Sequence, residues 1–354
     1  MCQCLVVTTQ TRGPSVIKLK RIAIDTSKHV YTLHGVDEAE RPVLRRELRR
    51  SQVAAFFGKQ EPSEVVLEAC GSAHHWGRQL SALGHRVKLI PPQYVKPFVK
   101  CGKNDRNDAE AISEAAARPT MRFVPVKSAE QQAELTVLKV RELVVKQRTQ
   151  LVNALRGHAA EFGIIAAKGV GNAAALAARA AADPAVPAAA QEMMALLGRE
   201  IEHLDQRLAE LGGTLAALHR ANPLSQLLAE VPGIGPISAL TLALTIDAKA
   251  FRSGRHLAAW IGLTPKEHST GGKHRLGAIS REGNERLRQL LVLGATSVIK
   301  VAKPGHRHAT VWLTGLLGRR PRRVAAVALA NKMARIVWAM MTNGEAYRQP
   351  SATA

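Results

Sequence analysis

The chain is poor in cysteine and has no long apolar run or targeting segment. Its four cysteines are too few and too irregular for a disulfide framework, and Cys2-x-Cys4 has no second pair for a zinc site. The most apolar stretch, 324–341, is interrupted by Lys332 and Arg335. The N-terminus lacks the basic and then apolar pattern of a signal peptide. These absences predict a soluble, cytoplasmic protein that does not enter a membrane.

Acidic residues are scarce relative to basic ones. The chain has 50 Lys and Arg against 28 Asp and Glu, a formal net charge of +22. Residues 251–354 hold 18 of the cations and four acids, a net charge of +14. Such an excess favours a polyanion such as nucleic acid, because binding releases counterions. Aromatic residues make up only 4% of the chain, so phosphate contacts should matter more than base stacking.

Four carboxylates in the first third of the chain are the main chemical signal. Asp25 ends the apolar run 22–24, Glu68 ends the run 65–67, and Asp105 and Asp108 are spaced to share one face of a helix. Taken singly, each acid is explained equally well as a turn, loop or helix-capping residue without any metal. Together they predict one divalent-metal site, because hard cations prefer oxygen ligands and two-metal sites use clustered carboxylates for phosphoryl transfer.

The order of apolar patterns predicts a mixed α/β sheet followed by helices. Strands are predicted at 17–25, 29–35, 43–49, 64–68 and 85–90, with helices at 51–58, 72–83 and 107–118. Two long helices follow at about 128–162 and 190–220, joined by an alanine-rich connector. The second has apolar residues in steps of four and three, a coiled-coil seam that favours an antiparallel helical hairpin or an oligomer contact over an ordinary core-facing helix: Leu197, Ile201, Leu204, Leu208, Leu211, Leu215 and Leu218.

From Leu227 onward a Pro-Gly-x-Gly-Pro turn joins two apolar segments. The pattern is typical of a helix-hairpin-helix, whose loop presents backbone N–H groups to phosphate. Gly233 and Gly235 are therefore candidate nucleic-acid-binding residues. A plain turn between two helices is the alternative.

Six motifs follow one another as AIDTSK, LEACG, KNDRNDA, PGIG, GLTPKEHSTGGK and GAISREGN. With the four acids, they closely resemble the DEDD-type insertion-sequence transposases of the IS110 and IS1111 group. The resemblance runs from about Ile22 to about Trp338, nearly the whole chain. One motif alone would be weak evidence, whereas six in order are specific.

The resemblance implies an α/β domain followed by mostly α structure. The N-terminal α/β domain would be RNase H-like (RuvC-like), and the middle of the chain would be a helical coiled coil. The C-terminal part would be a helical transposase domain that contains the helix-hairpin-helix-like turn. The corresponding boundaries are a disordered lead-in at 1–16, then 17–126, 127–222, 223–345 and a tail at 346–354.

The same resemblance implies two sets of catalytic residues. Asp25, Glu68, Asp105 and Asp108 would bind Mg²⁺ (or Mn²⁺), and a hydroxyl in HSTGG would attack DNA. An ungapped alignment from Gly262 places Thr270 at the nucleophile position. Ser269 stays open and is slightly favoured, because the β-methyl of threonine crowds the hydroxyl. Candidate bases are His268 and His274, and the candidate phosphate-binding cations are Lys273, Arg275, Arg281, Arg286 and Arg288.

The implied activity is that of a transposase, or DNA recombinase, of a mobile insertion element. Strand cleavage would leave a 5′-phosphoserine or phosphothreonine link, and exchange would reverse that chemistry. The implied partners are element ends and target DNA, a structured noncoding guide RNA and further copies of the chain, as a dimer or tetramer. The protein would lie in the bacterial cytoplasm, on the nucleoid when bound to DNA. The alternative is a metal-dependent RuvC-like nuclease or Holliday-junction resolvase, which forms no covalent link.

Overall fold

A computed structural model describes residues 18–100, 104–303, 306 and 308–348. The predicted lead-in at 1–16 and the last residues of the predicted tail, 349–354, lie outside this range. The chain divides into two units between Gln132 and Ala133. The finer boundaries drawn from the sequence, at 126/127 and 222/223, remain predictions.

The first unit is built on a mixed sheet, as the apolar runs predict. Its strands are β1 (Arg21–Thr26), β2 (Val30–Val36), β3 (Pro42–Arg49), β4 (Glu64–Glu68) and β5 (Arg86–Ile90). The order across the sheet is β3-β2-β1-β4-β5. Strands β1, β2 and β3 pair antiparallel, whereas β4 runs parallel to both β1 and β5. The mixed α/β prediction is confirmed.

Helices cover both faces of this sheet. They are α1 (Val53–Phe57), α2 (Ala73–Ala82), α3 (Pro92–Val95) and α4 (Asp105–Ala116). Ile22 of β1 packs with Leu80 of α2 on one face. Ala23 of β1 and Val66 of β4 pack with Ile112 of α4 on the other face. Because side chains alternate along a strand, odd positions of β1 and even positions of β4 face α4.

The second unit is mostly helical. Its elements are α5 (Ala129–Glu161, which begins just before the division), α6 (Ala173–Ala182), α7 (Ala188–Ala221), α8 (Pro223–Leu228), α9 (Pro236–Thr245), α10 (Gly254–Trp260), β6 (Pro265–Glu267), β7 (Leu276–Ile279), α11 (Glu285–Val301), α12 (Val311–Arg319) and α13 (Arg322–Asn343). The two long helices are α5 and α7, within two residues of the predicted ends. The alanine-rich connector contains α6, because alanine is the strongest helix former.

The predicted seam of α7 is partly used inside the chain. Ile201 packs in a cluster with Leu176 of α6 and with residues of α5. Leu215 packs with Leu240 of α9 and again with α5. Both ends of the seam thus belong to the core of this unit, while Leu211 between them is half-buried. Packing within the chain, in part against α5, therefore accounts for these two ends, and a seam between copies stays a prediction.

The PGIG turn lies between α8 and α9, and α11 packs directly against it. Gly233 has a φ of +89°, and a Cβ there would lie 2.7 Å from the carbonyl oxygen of Gly294. A Cβ on Gly294 would lie 1.9 Å from the carbonyl oxygen of Gly233. Two glycines far apart in sequence therefore allow a contact between backbones that no side chain would fit.

We expect Gly294→Ala to destabilise the protein, although alanine normally favours a helix by about 1 kcal/mol over glycine. The clash with Gly233 should reverse that gain and cost about 1–3 kcal/mol, as overpacking does. Gly212→Ala is the matched control, because Gly212 lies in α7 and a Cβ there would meet no atom within 4 Å. Thermal or urea unfolding of both variants checks this; equal stability of the two would contradict the close contact.

Helix α13 is long and apolar enough to cross a membrane by length and composition, alone among the helices of the described residues. Its residues Ala330, Met333 and Val337 are buried in the core of the second unit. A single helix of this kind, packed in a core, is weak evidence for a membrane span.

Candidate active site

Asp25 and Glu68 lie at the carboxyl ends of two neighbouring parallel strands. Ile24 of β1 pairs with Leu67 of β4, so the next residue on each strand is the acid. Asp25 has the same parity as Ala23 and therefore faces α4, and Glu68 faces α4 for the same reason. The apolar runs thus bring the two acids to one edge and one face of the sheet.

Helix α4 brings the other two acids to that face. It begins at Asp105, two residues before the predicted start, because the side chain of Asn104 caps it by accepting a hydrogen bond of 3.0 Å from the backbone N–H of Arg106. Asp105 and Asp108 both lie in its first turn. The apolar face of α4 packs on the sheet, which directs this turn towards the end of β1.

Three of the four predicted carboxylates form a close group. One oxygen from each of Asp25, Asp105 and Asp108 lies within 4.8 Å of the others. Glu68 is not part of that group, but it is close enough for its charge to act on Asp25 and for the charge of Asp108 to act on it. Asp25, Asp108 and Glu68 are partly buried, and Asp105 is exposed.

Burial and the close approach of the carboxylates raise the pKa of two of them. The pKa of Asp25 is raised from 3.8 to about 6, mainly by burial. The charges of Asp108, Asp105 and Glu68 add to the increase, in that order. The pKa of Glu68 is also raised, first by burial and then by the charge of Asp108. Each ionised carboxylate thus makes ionisation of its neighbours more costly.

Among the residues that the structure describes, none of the four carboxylates forms a salt bridge with a lysine, arginine or histidine. Converging carboxylate oxygens without a cationic partner are the donor set that a divalent cation prefers. The residues therefore fit a metal, which would lower the cost of ionising all of them together.

The predicted nucleophile loop lies in a β-hairpin that the sequence did not indicate. Strands β6 and β7 pair antiparallel, and the loop between them turns through Gly271 (φ +54°) and Gly272 (φ +80°). The backbone N–H of His268 donates to the carbonyl of Arg275 at 2.8 Å, and Lys273 donates to Thr270 at 3.0 Å. The hairpin is largely exposed.

The two candidate hydroxyls differ in their contacts. The Ser269 hydroxyl donates to Oε1 of Glu267 at 2.9 Å and accepts from the backbone N–H of Arg275 at 3.3 Å. The same Glu267 oxygen lies 3.7 Å from Nδ1 of His274. Ser269 is half-buried, whereas Thr270 is exposed and its backbone forms the turn. The geometry therefore distinguishes Ser269 as a hydroxyl oriented by a carboxylate.

Glu267 is a candidate functional residue that the sequence alone did not indicate. Its signal is the spacing of two between Glu267, the last residue of β6, and Ser269, a spacing that puts side chains on the same side of an extended backbone. That spacing is informative only once the segment is known to be a strand. Nothing in the exposed, polar sequence of β6 marks it as one.

The five predicted cations divide into two groups. Lys273, Arg275 and Arg281 are exposed around the hairpin. Arg288 instead donates from Nη1 to the carbonyls of Ile261 and Glu282, both at 2.9 Å, and so holds the loop before α11 in place. Arg286 lies 3.8 Å from Glu142 of α5.

The two glycines of the PGIG turn also differ. At Gly233, the backbone of Gly294 fills the place that a Cβ would take. Gly235, which precedes α9, has no atom within 4 Å of the place where a Cβ would lie. The two glycines thus differ in the room for a side chain, although both line the same cleft.

Known families and relatives match both units of the chain. Residues 22–163 match the DEDD transposases of IS110, and residues 225–310 match the family described as Transposase IS116/IS110/IS902. The "Putative transposase y4pF/y4sB" of Sinorhizobium fredii is 54% identical over 352 residues, covering 99% of this chain and 91% of the relative. The "Probable family 20 transposase" of Pseudomonas aeruginosa is 49% identical over 337 residues, covering 94% and 99%.

A third relative is the "Transposase for insertion sequence element IS1111A" of Coxiella burnetii, 38% identical over 340 residues, with 95% of this chain and 93% of the relative covered. Fold, acidic cluster and relatives together define a transposase, an enzyme that cuts and joins DNA. The chain belongs to the IS116/IS110/IS902 family of transposases.

Proposed function

We propose that this transposase cuts and exchanges DNA strands through a covalent link between DNA and Ser269. The observation that carries the proposal is the hydrogen bond of 2.9 Å from the Ser269 hydroxyl to the Glu267 carboxylate. A free serine hydroxyl is a weak nucleophile, and an adjacent base is the usual means of activating it. Thr270, whose hydroxyl has no such carboxylate partner among the described residues, is the less suitable nucleophile.

The first unit is proposed to be an RNase H-like domain that binds Mg²⁺ or Mn²⁺. The strand order β3-β2-β1-β4-β5, with acids at the ends of β1 and β4 and at the start of α4, supports this assignment. Asp25, Asp105 and Asp108 would hold the ion, and Glu68 would contribute from the next strand. When bound, such an ion polarises phosphate oxygens and stabilises a leaving alkoxide.

The proposed reaction at the hairpin is a transfer of the DNA phosphate to serine. The Ser269 oxygen attacks phosphorus while its proton passes to the carboxylate of Glu267. An O–P bond to serine forms, and the bond from phosphorus to the 3′ oxygen of the preceding nucleotide breaks. The leaving 3′ oxygen takes up a proton from water, so the products are a 5′-phosphoserine and a free 3′ hydroxyl. Strand exchange is the reverse reaction: a different 3′ hydroxyl attacks phosphorus and gives its proton to water, while the Ser269 oxygen leaves and recovers its proton from Glu267.

Cations near the hairpin are proposed to bind the scissile phosphate. Lys273, Arg275 and Arg281 are exposed and carry charge that would stabilise the developing negative charge on phosphorus. Arg286 and Arg288 would act mainly by holding the segment, given their contacts with Glu142 and two carbonyls. Gly233 and Gly235 are proposed phosphate contacts of the PGIG turn, since both line the same cleft.

The proposed partners are element ends, target DNA and an element-encoded guide RNA. The net charge of +14 in residues 251–354 supports polyanionic partners, because each phosphate neutralised by a cation releases counterions. Further copies of the chain are also proposed. Large apolar side chains are exposed on both long helices and support such contacts: Val140, Leu143, Met193 and Leu196.

If α7 also contacts a second copy, Leu208→Glu with Leu211→Glu should lower the mass measured by light scattering. Both residues are half-buried, whereas Leu204 is buried, so a charge there would destabilise the chain itself. Arg207→Glu with Glu210→Lys is the control on the exposed side of the same helix. An unchanged mass for a folded Leu208/Leu211 variant would leave α7 as an internal core helix only.

Trapping the protein on DNA tests the main proposal. A nicked or suicide substrate carrying an element end should yield a protein–DNA adduct, and mass spectrometry of the digested adduct should place the nucleotide on Ser269. The second candidate is a hydrolytic RuvC-like nuclease or junction resolvase, which the acidic cluster alone favours. Cleavage by the wild-type protein without any adduct would establish that candidate instead.

A further inference from the structure

The second unit also contains a cleft lined by cations and tryptophans. The cleft, of about 670 Å³, opens between the start of α10 and α13, with α12 contributing to its wall. We name it the α10–α13 cleft. Its chemistry comes from three cations, two tryptophans and an amide: Arg255, Lys332, Arg335, Trp312, Trp338 and Asn331.

The cleft is built by close packing of α10 on α13. A Cβ on Gly254 would lie 2.9 Å from the Cα of Arg335, so the first residue of α10 touches the backbone of α13. Arg255 follows Gly254 directly, and both Arg255 and Arg335 line the cleft. Lys332 and Arg335 are three residues apart on α13 and therefore lie on the same side of that helix.

The charges in the cleft are of one sign. Arg255 and Arg335 are exposed and form no salt bridge or hydrogen bond with the described residues, and no acidic residue of the described chain lines the cleft. The pKa of Lys332 is lowered, first by burial and then by the charge of Arg335. Like charges gathered in a concave site repel one another, and an anion bound there would relieve that repulsion.

An aromatic surface accompanies the cations. Trp312 is 37% exposed, the most exposed of the four tryptophans. The Lys332 ammonium lies 4.3 Å from its ring centroid, so part of the ring is covered and the remainder faces solvent. Trp338 is fixed, because its indole N–H donates to the carbonyls of Ala248 and Phe251 at 3.2 Å.

We infer that the α10–α13 cleft binds an unpaired strand of nucleic acid, with phosphates on Arg255 and Arg335 and a base stacked on Trp312. A groove of cations beside an exposed aromatic ring is the combination that single-strand binding uses. A duplex offers only its phosphates here, because its bases are stacked on one another and cannot reach the ring. The inference adds a binding site to the proposed function and depends on that proposal only for the class of ligand.

The test measures equilibrium binding of fluorescent oligo-dT, oligo-rU and a duplex of equal length by full-length protein. All variants carry Ser269→Ala and are kept in EDTA, so neither the covalent step nor the metal influences the result. We expect Arg255→Ala with Arg335→Ala to weaken single-strand binding at least about tenfold. The salt dependence should flatten by about 0.7 for each phosphate that the variant no longer binds. A weakening confined to oligo-dT or oligo-rU identifies the strand as DNA or RNA.

Two matched controls make the result specific. Arg207→Ala with Arg220→Ala removes the same charge from exposed positions of α7. Trp312→Leu should weaken single-strand binding at least about fivefold, the lower end for removal of a base–aromatic stack, whereas Trp312→Phe should retain most of it. The inference fails if the Arg255/Arg335 pair weakens binding no more than the α7 pair. It also fails if duplex binding falls equally, or if Trp312→Leu binds single strands like Trp312→Phe.

Discussion

Ser269→Ala is expected to reduce covalent adduct formation and strand exchange at least about 10³-fold, because it removes the attacking oxygen of a covalent mechanism. Thr270→Ala should retain both activities, since that side chain lacks the carboxylate contact that orients Ser269. The measurement is adduct yield on a denaturing gel with a labelled element end, together with recombination of two DNA substrates. Equilibrium binding of DNA should be unchanged in both variants.

Glu267→Gln separates orientation from proton transfer in the same assay. Glutamine can still accept the hydrogen bond from Ser269 but is a far weaker base, so we expect a decrease of about 10²–10⁴-fold in rate.

If Thr270→Ala is inactive and Ser269→Ala is not, threonine is the nucleophile. If adducts persist in both single variants, the link is formed by neither residue and the proposed chemistry is wrong.

Asp25→Asn is expected to abolish strand cleavage while raising the stability of the metal-free protein. The pKa of Asp25 in the folded chain is about 6, above its ordinary value of 3.8, so folding binds protons and stability declines as the pH rises from about 4 to 6. Above pH 6 the ionised carboxylate opposes folding. Asparagine removes that charge, and we expect an unfolding midpoint about 2–4 °C higher at pH 7.5, allowing for the solvent screening of a half-exposed group.

Added Mn²⁺ should make the wild-type protein more stable than Asp25→Asn at the same pH. The wild-type protein should gain stability as the metal relieves the repulsion among its carboxylates, while Asp25→Asn should gain much less. Metal binding should weaken below pH 6, because protons then compete for Asp25. Glu114→Gln is the control, since it removes a charge from α4 where Glu114 pairs with Arg118 on the surface. Equal Mn²⁺ stabilisation of wild type and Asp25→Asn would remove Asp25 from a metal site.

Much of the acidic cluster is predictable from sequence because local rules fix it. Apolar runs define β1 and β4, and the alternation of side chains then puts Asp25 and Glu68 on one face. The predicted start of α4 is two residues late because its cap, Asn104, precedes an exposed first turn with no apolar residue to mark it. The prediction that Glu68 joins the same metal group still awaits a measurement, since only the other three acids form the close cluster.

The site at the β6–β7 hairpin is harder to predict from the sequence. Strands β6 and β7 have three and four residues and are mostly exposed, so no apolar alternation indicates them. Without the hairpin, the pairing of Ser269 with Glu267 cannot be inferred. The contact of Arg288 with the carbonyl of Ile261 spans 27 residues and depends on tertiary packing, which no local pattern encodes.

The contact between Gly233 and Gly294 limits how this protein could be redesigned. Neither position can acquire a side chain without moving a backbone, so variants that retarget the enzyme cannot draw new base or phosphate contacts from Gly233. Gly235, two residues away, has open space around it and can accept a larger residue. If the PGIG turn contacts DNA as proposed, a mutagenesis library for altered DNA preference is best concentrated at Gly235, with Gly233 and Gly294 kept as glycines.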